Sequence, residues 1–115
     1  MALAERMMYG RYPEITDHHT YVIVCDGCLM EGISHEAASF AEHLGLGRLV
    51  VLWDNNAITI DGSVDRSCSD DQLARFAAYG WHPEAVLDGT DIEAIDQAII
   101  RAKADPRPAS SRFGP

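Results

Sequence analysis

Two apolar runs, "TYVIVC" at 20–25 and "RLVVLWD" at 48–54, stand either side of a segment patterned for a helix, and that order leaves few folds open. The first run is continuous and β-branched, with polar "TDHHT" leading into it and "DG" after it, which predicts a strand buried on both faces. In "ISHEAASFAEHLG", Ile33, Ala37, Phe40, Ala41 and Leu44 fall on one helical stripe, and Gly45 stands where a left-handed residue would end the helix. "RLVVLWD" reads as a second buried strand. A strand, a helix and a strand joined by short connections predict a βαβ unit with parallel strands and a right-handed crossover.

The flanking segments extend this α/β reading to a partial parallel sheet with helices on its faces. "ALAERMMYG" is predicted as a short helix ending near Gly10. Ser69 and Gln72 form a capping-box pattern ahead of Leu73, Phe76 and Ala77, and Gly80 closes that helix. "WHPEAVLDG" is a weaker strand candidate, because Pro83 restricts it to a strand start or a sheet edge. Thr90 and Glu93 then suggest a cap for a helix carrying Ile92, Ile95 and Ile99. After it, "PRPASSRFGP" at 106–115 has no apolar run. The expectation is therefore a partial domain over 1–105, an irregular tail over 106–115 and a sheet short of one strand.

Composition narrows the partners. With 115 residues and 47% hydrophobic content the chain supports one small domain. Its 18 acidic and 9 basic residues leave a formal charge of -9, which repels nucleic acid and anionic membrane surfaces. No apolar run approaches the roughly 20 residues that cross a bilayer, and "MALAERMMYGRYP" carries charge too early for a signal peptide, so a cytoplasmic location is expected. Three cysteines, Cys25, Cys28 and Cys68, are too few and too uneven for a secreted disulfide framework.

In open parallel sheets ligands bind beyond the carboxyl ends of the strands, where Asp26-Gly27 and Asp54-Asn55-Asn56 both fall. Gly27 leaves room for a phosphate to approach the backbone. A carboxylate and an amide oxygen are hard donors suited to Mg²⁺ shared with phosphate oxygens. Together they suggest a Mg²⁺-diphosphate clamp, against the plainer reading that Asp26 and Asn56 cap turns. Cys25-x-x-Cys28 also has the spacing of a thioredoxin-like redox pair, but that reading gives no role to "WDNNAITIDG". Zinc is disfavoured, since Cys68, His18, His19, His35, His43 and His82 lack ligand spacing.

"DGCLMEGISHEA", "LGLGRLVVLWDNNAITIDG" and "DDQLARFAAYGWH" closely resemble the N-terminal cofactor domain of transketolase, and the resemblance runs over nearly the whole chain. "CLMEG" and "ITIDG" favour it over other thiamine-diphosphate enzymes such as deoxyxylulose-phosphate synthase. The resemblance implies thiamine diphosphate and Mg²⁺ as cofactors. It implies Asp26 as the metal carboxylate, Asn56 as the second side-chain ligand and Ile58 as the donor of a backbone carbonyl to the metal. Gly27 would meet the diphosphate through its N–H. Glu31, counted with the cofactor residues, and Glu36 match carboxylates near a subunit interface. The implied reaction moves a two-carbon ketol unit from a ketose phosphate to an aldose phosphate. It implies sugar-phosphate substrates, a dimer, and a pyrimidine-binding domain in the same or a companion chain that brings the activating Glu. No catalytic residue is assigned within this chain. The alternative is a non-catalytic remnant that folds but binds cofactor weakly or not at all. Cys25 departs from the pattern, which has Gly immediately before the Asp, and this raises the question of whether the backbone there needs Gly.

Overall fold

A computed structural model describes residues 1–114. Helix α1 (Ala2–Tyr9) leads to strand β1 (Thr20–Cys25), then to helices α2 (Asp26–Met30) and α3 (Gly32–His43) and to strand β2 (Leu49–Asp54). A small antiparallel hairpin follows, β3 (Ile58–Thr59) and β4 (Gly62–Ser63), and then α4 (Gln72–Ala78), β5 (His82–Val86), α5 (Ile92–Ala104) and β6 (Ala109–Phe113). The main sheet is parallel throughout, in the order β1-β2-β6-β5. The βαβ unit is in place, with Gly45 at φ +62° and Gly80 at φ +92° ending their helices as predicted.

The expected irregular tail is overturned. Residues 109–113, "ASSRF", form a central strand between β2 and β5, in register from Ala109 beside Val50 to Phe113 beside Asp54. Position 115 lies outside the described residues. Such a strand hides from hydropathy because it is selected for size. Ala109, Ser110 and Ser111 are wholly buried, and Ala109 packs with Val50 and Ala102 where α5 crosses the sheet. Small residues let the helix approach, and the backbone ladder on both sides supplies the cohesion.

Strand β1 departs in the opposite sense. It was expected to be buried on both faces, yet Tyr21 and Val22 are half-exposed and Ile23 is 79% exposed. It pairs only with β2 and so is an edge strand among the described residues. The helical stripe is also rotated from its expected setting. Ala38 and Ala41 face the core while Ile33 and Phe40 are exposed, because the two alanines admit Trp81, whose Nε1–H donates to the Ala38 carbonyl at 2.9 Å. Around them pack Leu29, Leu46, Val51, Trp53 and Phe76, which form the main core. The helix caps shift as well. Asp71 accepts from the Ala74 N–H and Asp91 from the Ala94 N–H, in place of the expected Ser69 and Thr90, since these aspartates sit directly before the first helical residue.

The entry to β2 is tightly built. A Cβ added at Gly47 would stand 2.0 Å from the Pro106 carbonyl oxygen, a backbone atom that cannot step aside. Gly47→Ala is therefore expected to destabilise the fold by about 2 kcal/mol or more, read as a lower urea midpoint. Nearby, the α5–β6 turn is held by Asp105, which accepts from the Arg107 backbone N–H, Nε and Nη2 at 2.7–2.9 Å. These bonds, Arg107's side chain first, hold the Asp105 carboxyl at about 2, below its ordinary value. A depressed carboxylate pKa adds stability above the unfolded value near 3.8 that is lost as pH falls through about 2. In acid titrations followed by circular dichroism, Asp105→Asn is expected to flatten the stability slope between those two values.

Candidate functional site

The parallel register brings the ends of β1 and β2 level, with Cys25 beside Asp54, so the residues that follow each strand leave the sheet at the same place. Asp26 opens α2 and is only 5% exposed. Its Oδ1 accepts from Trp53 Nε1 and from Asn55 Nδ2, both at 2.8 Å, and its Oδ2 accepts from the Ala57 N–H at 2.8 Å. A carboxylate has about four lone-pair positions, so one on Oδ2 remains open to a cation. Asn55 is itself fixed by its backbone N–H, which donates to the Phe113 carbonyl at the end of β6 at 2.8 Å. The central strand that hydropathy missed is thus part of the site's frame.

Asn56 turns the other way. Its Oδ1 accepts from the Ile58 N–H at 3.0 Å, a local turn that leaves the amide oxygen one further acceptor position. Ile58 begins β3, and the hairpin lies against α2: a Cβ at Gly27 would come within 3.0 Å of Thr59 Oγ1. A side chain at Gly27 would therefore crowd the Thr59 hydroxyl, which would have to give by a few tenths of an ångström. Glu31 and Glu36 are exposed at the surface and are not among the hydrogen-bond partners of Asp26, and the Glu31 carbonyl accepts from the Ser34 hydroxyl. The site therefore brings together Asp26, Gly27 and the 55–59 segment, and leaves both glutamates outside it.

Sequence reasoning assigned no role to Trp53, Ala57 or Thr59, and named Asn55 only within the strand-end triplet Asp54-Asn55-Asn56. Trp53 was legible in one respect, because a buried indole N–H at a strand end requires an acceptor. A cavity of about 500 Å³ adjoins Asp26 and includes Trp53, Asn55, Asp65 and Arg112 in its wall, though not Gly27, Asn56, Ile58 or Glu31. No group of three or more His, Cys, Asp or Glu among the described residues could hold a metal ion. A divalent cation here would have to complete its shell from amide, backbone and phosphate oxygens, which is the donor set that suits Mg²⁺.

Cys25 answers the question the sequence raised. Its φ of -107° and ψ of 175° are extended backbone open to any residue, so Gly is not needed at that position. Its Sγ lies 3.1 Å from Cys28 Sγ, and that thiol, together with the Cys28 N–H, lowers the Cys25 pKa from its ordinary value. Strain sits further on instead. Ala57 and Ile60 both have φ of +58°, and Ile60 is fully exposed at the first turn position of the β3–β4 hairpin. A β-branched residue is costly in that region, and glycine is favoured there. Ile60→Gly is expected to stabilise the chain by about 1 kcal/mol, measured as a raised thermal midpoint.

The transketolase family, described as its thiamine diphosphate binding domain, matches residues 1–111. Transketolase from Cereibacter sphaeroides is 61% identical over 110 residues, covering 95% of this chain and 17% of that protein. Transketolase 1 from Aliivibrio fischeri is 54% identical over 113 residues, again covering 95% of this chain and 17% of its own. Among solved structures, transketolase from Leishmania mexicana superposes with a TM-score of 0.94 at 39% identity, covering 98% of this chain and 18% of that one. A Pichia stipitis transketolase in complex with sedoheptulose-7-phosphate gives 0.93 at 45% identity, with the same coverage. The chain thus spans under a fifth of the relatives it matches.

Proposed function

This chain belongs to the transketolase family as part of its thiamine diphosphate binding domain, and from that membership we propose that it forms the diphosphate and metal clamp of a ketol transferase. The observation that carries the reading is the buried Asp26 carboxylate, held by Trp53, Asn55 and Ala57 with one acceptor position left over. Asp26, the Asn56 amide oxygen and the Ile58 carbonyl would hold Mg²⁺, and the Gly27 N–H would meet the diphosphate. Trp53 and Asn55 keep the carboxylate in one orientation, and Thr59 sets the gap at Gly27. When bound, thiamine diphosphate supplies a nucleophilic carbon able to break and re-form the bond beside a ketose carbonyl. The protein's part is to fix the diphosphate so that this carbon has one position.

The substrates on this reading are sugar phosphates, the setting is cytoplasmic, and the working unit is a dimer. A pyrimidine-binding domain from the same or a companion chain completes the site. Glu31, at the surface between α2 and α3, would face that neighbour. The domain boundary falls beyond 105, because β6 belongs to the sheet. No helix of the described residues is long and apolar enough to cross a membrane.

Isothermal titration with thiamine diphosphate is the direct test. Saturable binding that requires Mg²⁺ and disappears with a chelator is expected, and a two-carbon transfer assay after mixing with a pyrimidine-domain partner follows. The second reading, a folded remnant that binds weakly or not at all, draws on the open face of β1, where Ile23 is largely exposed. A flat isotherm from a chain with a cooperative unfolding transition would favour that reading.

A further inference from the structure

Cys25 and Cys28 are both exposed, and their sulfurs are 3.1 Å apart across the first turn of α2. A cysteine that serves only packing is buried among apolar neighbours and inert, as Leu29 beside them is buried in the core. These two point out of the core and toward each other. A disulfide needs the sulfurs at about 2.05 Å, so closure asks for roughly 1 Å of approach between two residues three apart. The third cysteine, Cys68, is half-buried, with Gln72 Nε2 at 4.0 Å from its sulfur.

We propose that Cys25 and Cys28 form a reversible disulfide that closes around Asp26-Gly27 and switches the diphosphate clamp off. The switching half of this rests on the clamp reading given above. Asp26 and Gly27 are the two residues inside the ring that would form. Asp26 is anchored by three hydrogen bonds from β2 and the loop after it, so it resists displacement. The adjustment falls on Gly27 and Cys28. Cys25 Sγ already lies 3.9 Å from where a Gly27 Cβ would stand, and Thr59 Oγ1 bounds the other side at 3.0 Å. A shift of this turn alters the gap through which a diphosphate would reach the Gly27 N–H.

The oxidant is a hydroperoxide. One thiol sulfur attacks hydrogen peroxide, the O–O bond breaks, and the products are a sulfenic acid and water. The second sulfur attacks the sulfenic sulfur, the S–O bond breaks, and a second water leaves with the remaining thiol proton. Two electrons pass from the sulfurs to the peroxide. A dithiol reductant reverses the bond by exchange.

The test treats the 115-residue chain with one equivalent of hydrogen peroxide, caps free thiols with a maleimide, maps the peptides by mass, and titrates both forms with thiamine diphosphate in saturating Mg²⁺. The expected result is loss of two hydrogens within the peptide holding Cys25 and Cys28, a capped Cys68, and an affinity at least about tenfold weaker that returns with dithiothreitol. Cys28→Ser is expected to bind as the reduced chain does and to form no internal disulfide. A bond to Cys68, a disulfide between chains, or a Cys25–Cys28 bond that leaves affinity unchanged would each overturn the proposal. Failure of the reduced chain to bind at all would overturn the clamp reading and the switch together. Failure of the bond to form, with binding intact, overturns the switch alone.

Discussion

Asp26→Ala is expected to cost the chain stability as well as cofactor. The substitution removes the acceptor for Trp53 Nε1, Asn55 Nδ2 and the Ala57 N–H in one step. A buried donor left unpaired costs about 1–3 kcal/mol. The indole N–H is enclosed with Trp53 in the core, whereas Asn55 and Ala57 are at the mouth and can turn to water. The expected loss is therefore about 3 kcal/mol, below the full threefold penalty. Binding of thiamine diphosphate with Mg²⁺ is expected to fall by about 100-fold or more, since the one carboxylate of the donor set is gone. Asp26→Asn separates the two effects. Its oxygen can still accept from Trp53 and Asn55, so most of the stability should remain, while the charge and the open acceptor position are lost. Urea denaturation and calorimetric titration on both variants read these quantities. Full binding by Asp26→Asn would remove the metal role and leave Asp26 as a structural acceptor.

How much of this was legible depended on whether a residue's role was local. The crossover was readable because β-branched continuity and a helical stripe are short-range patterns, and Gly45 and Gly80 marked helix ends because positive φ is a property of single residues. Asp26 and the doubled Asn were readable as a pair of strand ends. Their partners were not, because Asn55 and Asn56 look alike in sequence while one reaches Asp26 and the other folds back on Ile58. The β1 face illustrates the same limit. "TYVIVC" carries the composition of a buried strand, but burial depends on what lies beside it, and among the described residues β1 has a neighbour on one edge only. The strand β6 was missed for a related reason, since a central position crossed by a close helix rewards small side chains over apolar ones.

Deletion of residues 106–115 is expected to abolish cooperative folding, and it is the largest effect foreseen for any change outside the site. β6 stands between β2 and β5 in the sheet of the described residues, pairing in parallel with both. Without it β5 has no partner in the sheet, α5 loses the surface on which Ala102 is wholly buried, and Val50 is uncovered. The loss reaches the site too, because the Asn55 N–H is held by the Phe113 carbonyl and Gly114 donates to the Val86 carbonyl. A shortened chain is expected to show a sloping denaturation curve and to bind a hydrophobic dye. Two point variants show whether the ladder or the side chains do this. Ser111→Pro removes a backbone N–H in the strand centre and is expected to cost about 3 kcal/mol or more. Ser110→Ala removes a buried hydroxyl that has no hydrogen-bond partner, so it is expected to be neutral or to stabilise by about 1 kcal/mol. A sharp transition retained by residues 1–105, at a midpoint near that of the full chain, would return the boundary to 105 and make β6 an accessory strand.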